Sequence, residues 1–131
     1  ERYNFNMGHV HFKTNSPEDA KIYFNRVRDS KKYGSQAKYY EGFIAYDSDE
    51  YEEASELFDE VEAQGGSREE LAYFKADLNF KLGKFEEAIK LGKEQLPNAN
   101  RQEISQLNKI IGESYFNLGQ YDEALPYLKE A

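Results

Sequence analysis

The sequence predicts an all-α fold, a solenoid of about four stacked helical hairpins, and three columns of residues carry that expectation. A small residue recurs after a pair of acids as Ala20, Ala54, Ala88 and Ala124, at spacings of 34, 34 and 36 residues. A second small column, Gly8, Gly42, Ala76 and Gly112, repeats those three spacings, and so does an aromatic one, Phe12, Tyr46, Phe80 and Phe116. Self-similarity at a period near 34 is the mark of units built from two helices each.

The elements follow in order. In the first unit a helix places Phe5, His9 and Phe12 on one face and breaks at Asn15–Ser16. Ser16-Pro17-Glu18-Asp19 then starts a second helix, with a Ser N-cap, a Pro in the first turn and acids at the positive end of the dipole. The second unit breaks at Asp47–Asp49, and its second helix is expected from Tyr51 to about Ala63, ending near Gly65-Gly66. In the third unit Leu71, Phe74, Leu78 and Leu82 recur at helical spacing. Gly83 breaks it, and a helix from Phe85 to about Leu96 ends at Pro97-Asn98. The two extra residues of the last spacing fall around Pro97–Asn100, where a loop absorbs them. The fourth unit breaks at Gly119 and closes on LGQYDEALPYLKEA, a near copy of LGKFEEAIKLGKEQ at 82–95. There Pro126 takes the place of Lys90, losing a backbone bond inside the helix. The units are 1–34, 35–68, 69–104 and an incomplete 105–131, read as one repeat domain over 1–131. Terminal repeats usually end in a polar cap; with none following Ala131, the chain is expected to be a segment of a longer array.

The small columns have a mechanical reason. A helix face bearing Gly or Ala lets its neighbour approach closely, and the bulkier Phe24, Phe58 and Leu128 fill the space beside the crossing. One hairpin cannot bury its apolar face alone, so stacking is what makes the core.

Composition narrows the function. With 39% apolar and 32% charged residues the chain can build a core, and 15% aromatics exceed what a disordered acidic chain carries. A net charge of −8 argues against nucleic-acid binding, which wants a basic stripe. No apolar run approaches a membrane span, and the absence of cysteine removes disulfides and thiolate metal sites.

These residues resemble the tetratricopeptide repeat family, whose signature pairs a small residue in the first helix with Gly-x-Tyr at the turn and a small residue three further on. Gly112, Gly119-Gln120-Tyr121 and Ala124 fit it, as do Gly83-Lys84-Phe85 and Ala88. Tyr51 and Ala54 keep the second half, with Asp49 in place of the turn glycine; Pro17 replaces the aromatic in the first unit. Where the family favours a bulky apolar residue early in each first helix, Met7 and Ile111 comply but Glu41 and Lys75 do not. The resemblance covers the whole chain and implies a right-handed superhelix with the first helices lining a concave groove.

In the family's pattern four sets of equivalent positions face that groove: Phe5, His9 and Phe12; Tyr39, Phe43 and Tyr46; Tyr73, Asp77 and Phe80; Lys109, Glu113 and Phe116. Tyr and Phe offer large contact area at low rotamer cost, which suits recognition. Aromatic stripes at this spacing also build cores, and spacing alone does not choose between the two. Some members of the family grip a partner's C-terminal carboxylate with a Lys, Asn and Arg set. Here the groove cations are Lys13, Lys81 and Lys109 without companion asparagines, so no such clamp is expected.

Other chemistry finds little support. Residues 47–62 hold nine acids and no base, but a calcium loop of the helix–loop–helix type needs glycine and a closing Glu where Glu52 and Phe58 stand. These acids read as a solvated second-helix surface, partly neutralised by Arg26, Arg28, Lys31 and Lys32. His9 and His11, two apart on a helix, point in different directions, so a metal site is not expected; His9 reads as a groove residue and His11 as a packing one. Gly65-Gly66 lacks the strand and the Lys of a phosphate loop. The paired acids Glu52-Glu53, Glu86-Glu87 and Asp122-Glu123 sit at helix starts favoured by the dipole. No nucleophile–base pairing stands out, and no cofactor is implied.

The expected function is therefore a non-catalytic protein-interaction scaffold that takes a peptide or helix in an aromatic-rich groove. The alternative is a structural segment of a larger multi-repeat protein, packing against other domains or self-associating through the face of Leu125 and Leu128. The Tyr-rich style of the array resembles bacterial cell-envelope proteins.

Overall fold

The computed structural model describes residues 1–66 and 68–131, with residues 68–70 described in their backbone alone. Among the described residues every regular element is helical: α1 (Arg2–Lys13), α2 (Pro17–Arg26), α3 (Gly34–Asp47), α4 (Tyr51–Ala63), α5 (Arg68–Lys81), α6 (Phe85–Gln95), a short 3-10 turn (Leu96–Asn98), α7 (Arg101–Asn117) and α8 (Tyr121–Glu130). They group into two units, α1–α4 and α5–α8. In each unit consecutive helices pack as antiparallel neighbours, and the two first helices of its hairpins also meet, α1 with α3 and α5 with α7.

Four turns between first and second helices share one backbone design. Asn15, Asp49, Gly83 and Gly119 all adopt the left-handed conformation, with φ of 61°, 62°, 77° and 77°. The next amide donates back five residues at each turn: Ser16 to the His11 carbonyl, Glu50 to Ala45, Lys84 to Asn79 and Gln120 to Tyr115, all at 2.8–2.9 Å. That is a helix C-terminus closed on its own orphan carbonyls, and Asn and Asp are the non-glycine residues that tolerate the left-handed step best. Asp49, a departure from the family's glycine, thus keeps the geometry. Ser16 does cap α2 by position, but its hydroxyl makes no capping bond, and Glu18 and Asp19 meet the dipole instead. A full capping box appears at α7. The Asn100 side chain accepts from the Glu103 amide at 2.9 Å, and the Glu103 carboxylate accepts from the Asn100 amide at 3.2 Å. The 3-10 turn and this cap accommodate the two extra residues of the longer spacing.

Hairpin packing explains the small columns. A Cβ added to Gly8 would lie 2.7 Å from Phe24 Cδ1, one on Gly42 2.5 Å from Phe58 Cε1, and one on Gly112 2.7 Å from Leu128 Cδ2. Glycine on the first helix thus faces a large side chain of the second. The third hairpin departs from the arrangement. Ala76 takes the glycine position, and Gly92 stands where Phe24, Phe58 and Leu128 stand. The room above Gly92 is filled from α7, since a Cβ there would lie 2.8 Å from Ile111 Cγ1.

The core of the first unit gathers Ala20, Phe24, Val27, Ala37 and Ile44, with Phe5, Phe12, Tyr33 and Tyr40 packed against it. In the second unit Ala76, Ala88, Leu107 and Ile110 form the equivalent, flanked by Tyr73, Phe80, Leu91, Leu96 and Ala99. Each fully buried large side chain contributes about 1.5–3 kcal/mol. Pro126 lies inside α8 without ending it.

Candidate protein-interaction faces

The first unit presents an aromatic face built around a residue absent from the sequence-derived groove set. Phe5, His9 and Phe12 of α1 are half-buried, and all three lean on Tyr40 of α3, at ring-centre distances of 6.3, 5.3 and 5.0 Å. Tyr40 in turn stacks on the fully buried Phe24 at 5.4 Å, with the ring planes 10° apart. Phe5 also stacks on Tyr33 at 5.0 Å and on His9 at 6.3 Å. Farther along α3, Tyr39 meets Phe43 edge-on at 4.9 Å, and Phe43 meets Phe58 at 5.1 Å. Phe5, Phe12, Tyr33 and Tyr40 are thus packed against the core of this unit, and Phe43 against the buried Phe58. Such rings are held in place before any partner arrives, which lowers the ordering cost of binding.

The aromatic column Phe12, Tyr46, Phe80, Phe116 has a second use that spacing did not reveal. Tyr46 pairs edge-on with Tyr51 at 6.1 Å, Phe80 with Phe85 at 5.9 Å and Phe116 with Tyr121 at 5.3 Å. Each pair joins the end of a first helix to the first residue of the second, across the left-handed turn. Tyr46 and Phe80 are half-buried in these pairs, whereas Phe116 is 56% exposed.

In the second unit the equivalent face is polar. Tyr73 is half-buried against the core, Asp77 is buried, Glu113 is half-buried and Lys109 is exposed. Between α5 and α7 lies a cavity of about 500 Å³ lined by Tyr73, Gln102, Glu103, Ser105 and Gln106. Burial, then the Asp77 and Glu103 charges, raise the Tyr73 hydroxyl above its ordinary pKa. On another side of this unit the Lys93 ammonium donates to the Tyr115 hydroxyl and lies over the rings of Tyr115 and Tyr127, at 5.0 and 5.8 Å. That hydrogen bond is the main reason the Lys93 pKa is raised.

Of the basic residues expected to neutralise part of the acidic α4, Arg28 acts on Glu53 there through its charge, while its direct contacts lie elsewhere. Arg28 turns to α3, where its Nη2 lies 2.6 Å from Glu41 Oε2 and its Nε donates to the same oxygen at 2.8 Å. Arg26 lies over Tyr23 and donates to Asn4, and Lys32 lies over Tyr33. A cation from α3 also serves α4, with Lys38 3.4 Å from Glu60. Glu41 is only 5% exposed, and burial raises its carboxyl above the ordinary value despite Arg28, Lys21 and Lys38 nearby. His9 lies half-buried beside Tyr40, and His11 stacks on Tyr23 at 5.5 Å. Among the described residues no three acids or histidines converge as metal ligands, and no helix is long and apolar enough to cross a membrane.

Repeating turns, glycine-to-ring crossings and first-helix faces find their counterpart in known proteins. Two family models, each described as tetratricopeptide repeat, match the chain, one over residues 41–102 and the other over residues 1–27 and 110–131. The chain belongs to the tetratricopeptide repeat family. Members of this family are helical-repeat solenoids that serve protein–protein interaction. Among solved structures, MamA of AMB-1 is similar with a TM-score of 0.79 and 23% identity, over 97% of this chain and 68% of that one. YrrB, described as a TPR protein with an unusual peptide-binding site, gives a TM-score of 0.77 at 19% identity, over 97% of this chain and 64% of that one. An ArsTM double mutant of MamA from RS-1 gives 0.80 at 16% identity, over 98% and 71%. At these identities the likeness shows the tetratricopeptide fold alone, and the chain spans about two thirds of the length of these structures. No curated protein matches the chain in sequence.

Proposed function

We propose that this tetratricopeptide repeat chain is a non-catalytic module that captures a peptide or helix of a partner protein on the faces of its first helices. Phe5, His9, Phe12, Tyr39, Phe43 and Tyr46 supply apolar anchoring on α1 and α3. Tyr73, Asp77, Phe80, Lys109, Glu113 and Phe116 supply mixed polar contacts on α5 and α7. The observation that carries this reading is the core-braced aromatic face around Tyr40, whose rings are half-buried rather than enclosed. Rigid aromatic side chains of this kind dominate binding energy where they meet a partner. The peptide-binding site named for YrrB, a neighbour of the same fold, is in keeping with it.

Tyr39 gives the cleaner test, because Tyr46 also staples its turn. Peptides selected on the parent chain from a random displayed library should bind the Tyr39→Ala variant about tenfold more weakly, the loss expected of an interface hot spot. The helical signal should stay intact. Selected peptides that bind both proteins equally well would overturn the assignment, and a collapse of the helical signal would make Tyr39 a core residue.

A further inference from the structure

We propose that the cavity between α5 and α7 receives an arginine side chain from the bound segment. This rests on the reading of the first-helix faces as binding surfaces and names the chemistry that one of them takes.

The lining supplies a ring, a carboxylate and neutral acceptors, the groups a guanidinium needs. Tyr73 provides an aromatic face, Glu103 a carboxylate, Gln102 and Gln106 amide oxygens, and Ser105 a hydroxyl. Among the described residues no cation lines the cavity. Asp77 sits one turn beyond Tyr73 on α5 and is buried, adding a second negative charge near the ring. Burial first, and then the charges of Asp77 and Glu103, raise the Tyr73 hydroxyl above its ordinary pKa, so both carboxylates act at the ring. The charged group farther along α7 is Lys109, one turn past Gln106 and exposed to water.

Glu103 is also held ready. One of its oxygens accepts from the Asn100 amide in the cap of α7, which fixes the carboxylate before a ligand arrives. An arginine brings five donors in a plane, stacks on an aromatic face and is weakly hydrated, whereas a lysine brings a compact and strongly hydrated ammonium. With a ring, a carboxylate and three neutral acceptors spread over one cavity, the flat multidentate cation is the better match. A volume of about 500 Å³ takes the guanidinium together with its stem.

The test is an NMR titration of the chain with the capped peptide Gly-Phe-Gly-Arg-Gly, alongside versions carrying Lys or citrulline in place of Arg. The phenylalanine lets the aromatic face of α1 and α3 report binding separately. The Arg peptide should move the Tyr73 ring and the Gln102 and Gln106 side-chain amides, more than Lys does, while citrulline leaves them still. Glu103→Gln keeps the cap, since Gln serves a capping box as Glu does, and should weaken the Arg response by about tenfold, the usual cost of losing a charge-assisted pair. Equal responses to Arg and citrulline, or an Arg response unchanged in Glu103→Gln, would overturn the inference while shifts on α1 and α3 leave the wider reading standing. A titration in which no first-helix signal moves with any peptide would overturn both.

Discussion

Gly42→Ala isolates the close crossing on which each hairpin depends. Two effects oppose one another. Replacing a mid-helix glycine with alanine favours the helix by about 1 kcal/mol through propensity alone. Against this, the new methyl carbon would lie 2.5, 2.8 and 3.0 Å from Cε1, Cδ1 and Cζ of Phe58, a fully buried ring. Phe58 is itself edge-on to Phe43 at 5.1 Å, so the ring cannot simply step aside. Overpacking of a tight core costs about 1–3 kcal/mol, and three simultaneous short contacts with a braced ring put this site at the upper end. The expected net loss is about 2 kcal/mol, on the order of 10 °C in the melting midpoint for a unit of this size. Urea denaturation followed by circular dichroism measures it. Phe58→Leu in the same background should recover part of the loss, giving a coupling of about 1 kcal/mol in the double-mutant cycle. A Gly42→Ala protein as stable as the parent or more so, as propensity alone dictates, would refute the crossing as the reason for the small column.

The left-handed turns and the buried acid give two more tests. At Gly83 no atom lies within 4 Å of an added Cβ, so Gly83→Ala should cost only the backbone penalty, about 1–2 kcal/mol, and Asn15→Gly should act in the opposite direction by about 0.5 kcal/mol. Denaturation midpoints shifting with the same sign would contradict the shared turn design. For Glu41, a folded-state pKa above the ordinary 4.5 means that the folded chain holds the proton more tightly than the unfolded chain. Its contribution is present in full below that ordinary value and is lost as pH rises through the folded one. Glu41→Gln, which mimics the protonated acid, should therefore gain stability relative to the parent as pH rises from about 4 to 7. A difference that is flat or falls with pH would show that the Arg28 ion pair outweighs burial.

That balance illustrates what sequence could and could not convey. Helix starts and stops were legible because turns, small residues and aromatics recur in register; the helix expected from Tyr51 to about Ala63 is α4 itself. Tyr40 was not, because its column (Asn6, Tyr40, Phe74, Ile110) varies in chemistry while keeping its place two residues before the small position. The Arg28–Glu41 pair was invisible for a different reason: it spans 13 residues, occurs once, and so leaves no periodic trace. Glu41 could be seen only as a departure from the family's apolar residue, and a guanidinium from the segment just before α3 was the missing reason. The third aromatic column was ambiguous because one residue type serves two ends there, a staple across the turn and a rim of the first-helix face.

The different packing of the third hairpin has a consequence for how the repeats could be recombined. The first, second and fourth hairpins each carry both halves of their crossing, a glycine on one helix and a large side chain on the other. Each is closed in itself and transferable as a single hairpin. The third has a small residue on both helices and borrows Ile111 from its successor, so its integrity is a property of the pair α6 and α7. A duplication, deletion or shuffled array that separates those two helices would leave an open seam over Gly92, whereas a cut after α2 would spare the crossings at Gly8 and Gly42. The grain along which this chain divides is thus set by who fills whose gap, and it does not coincide with every boundary of the sequence period.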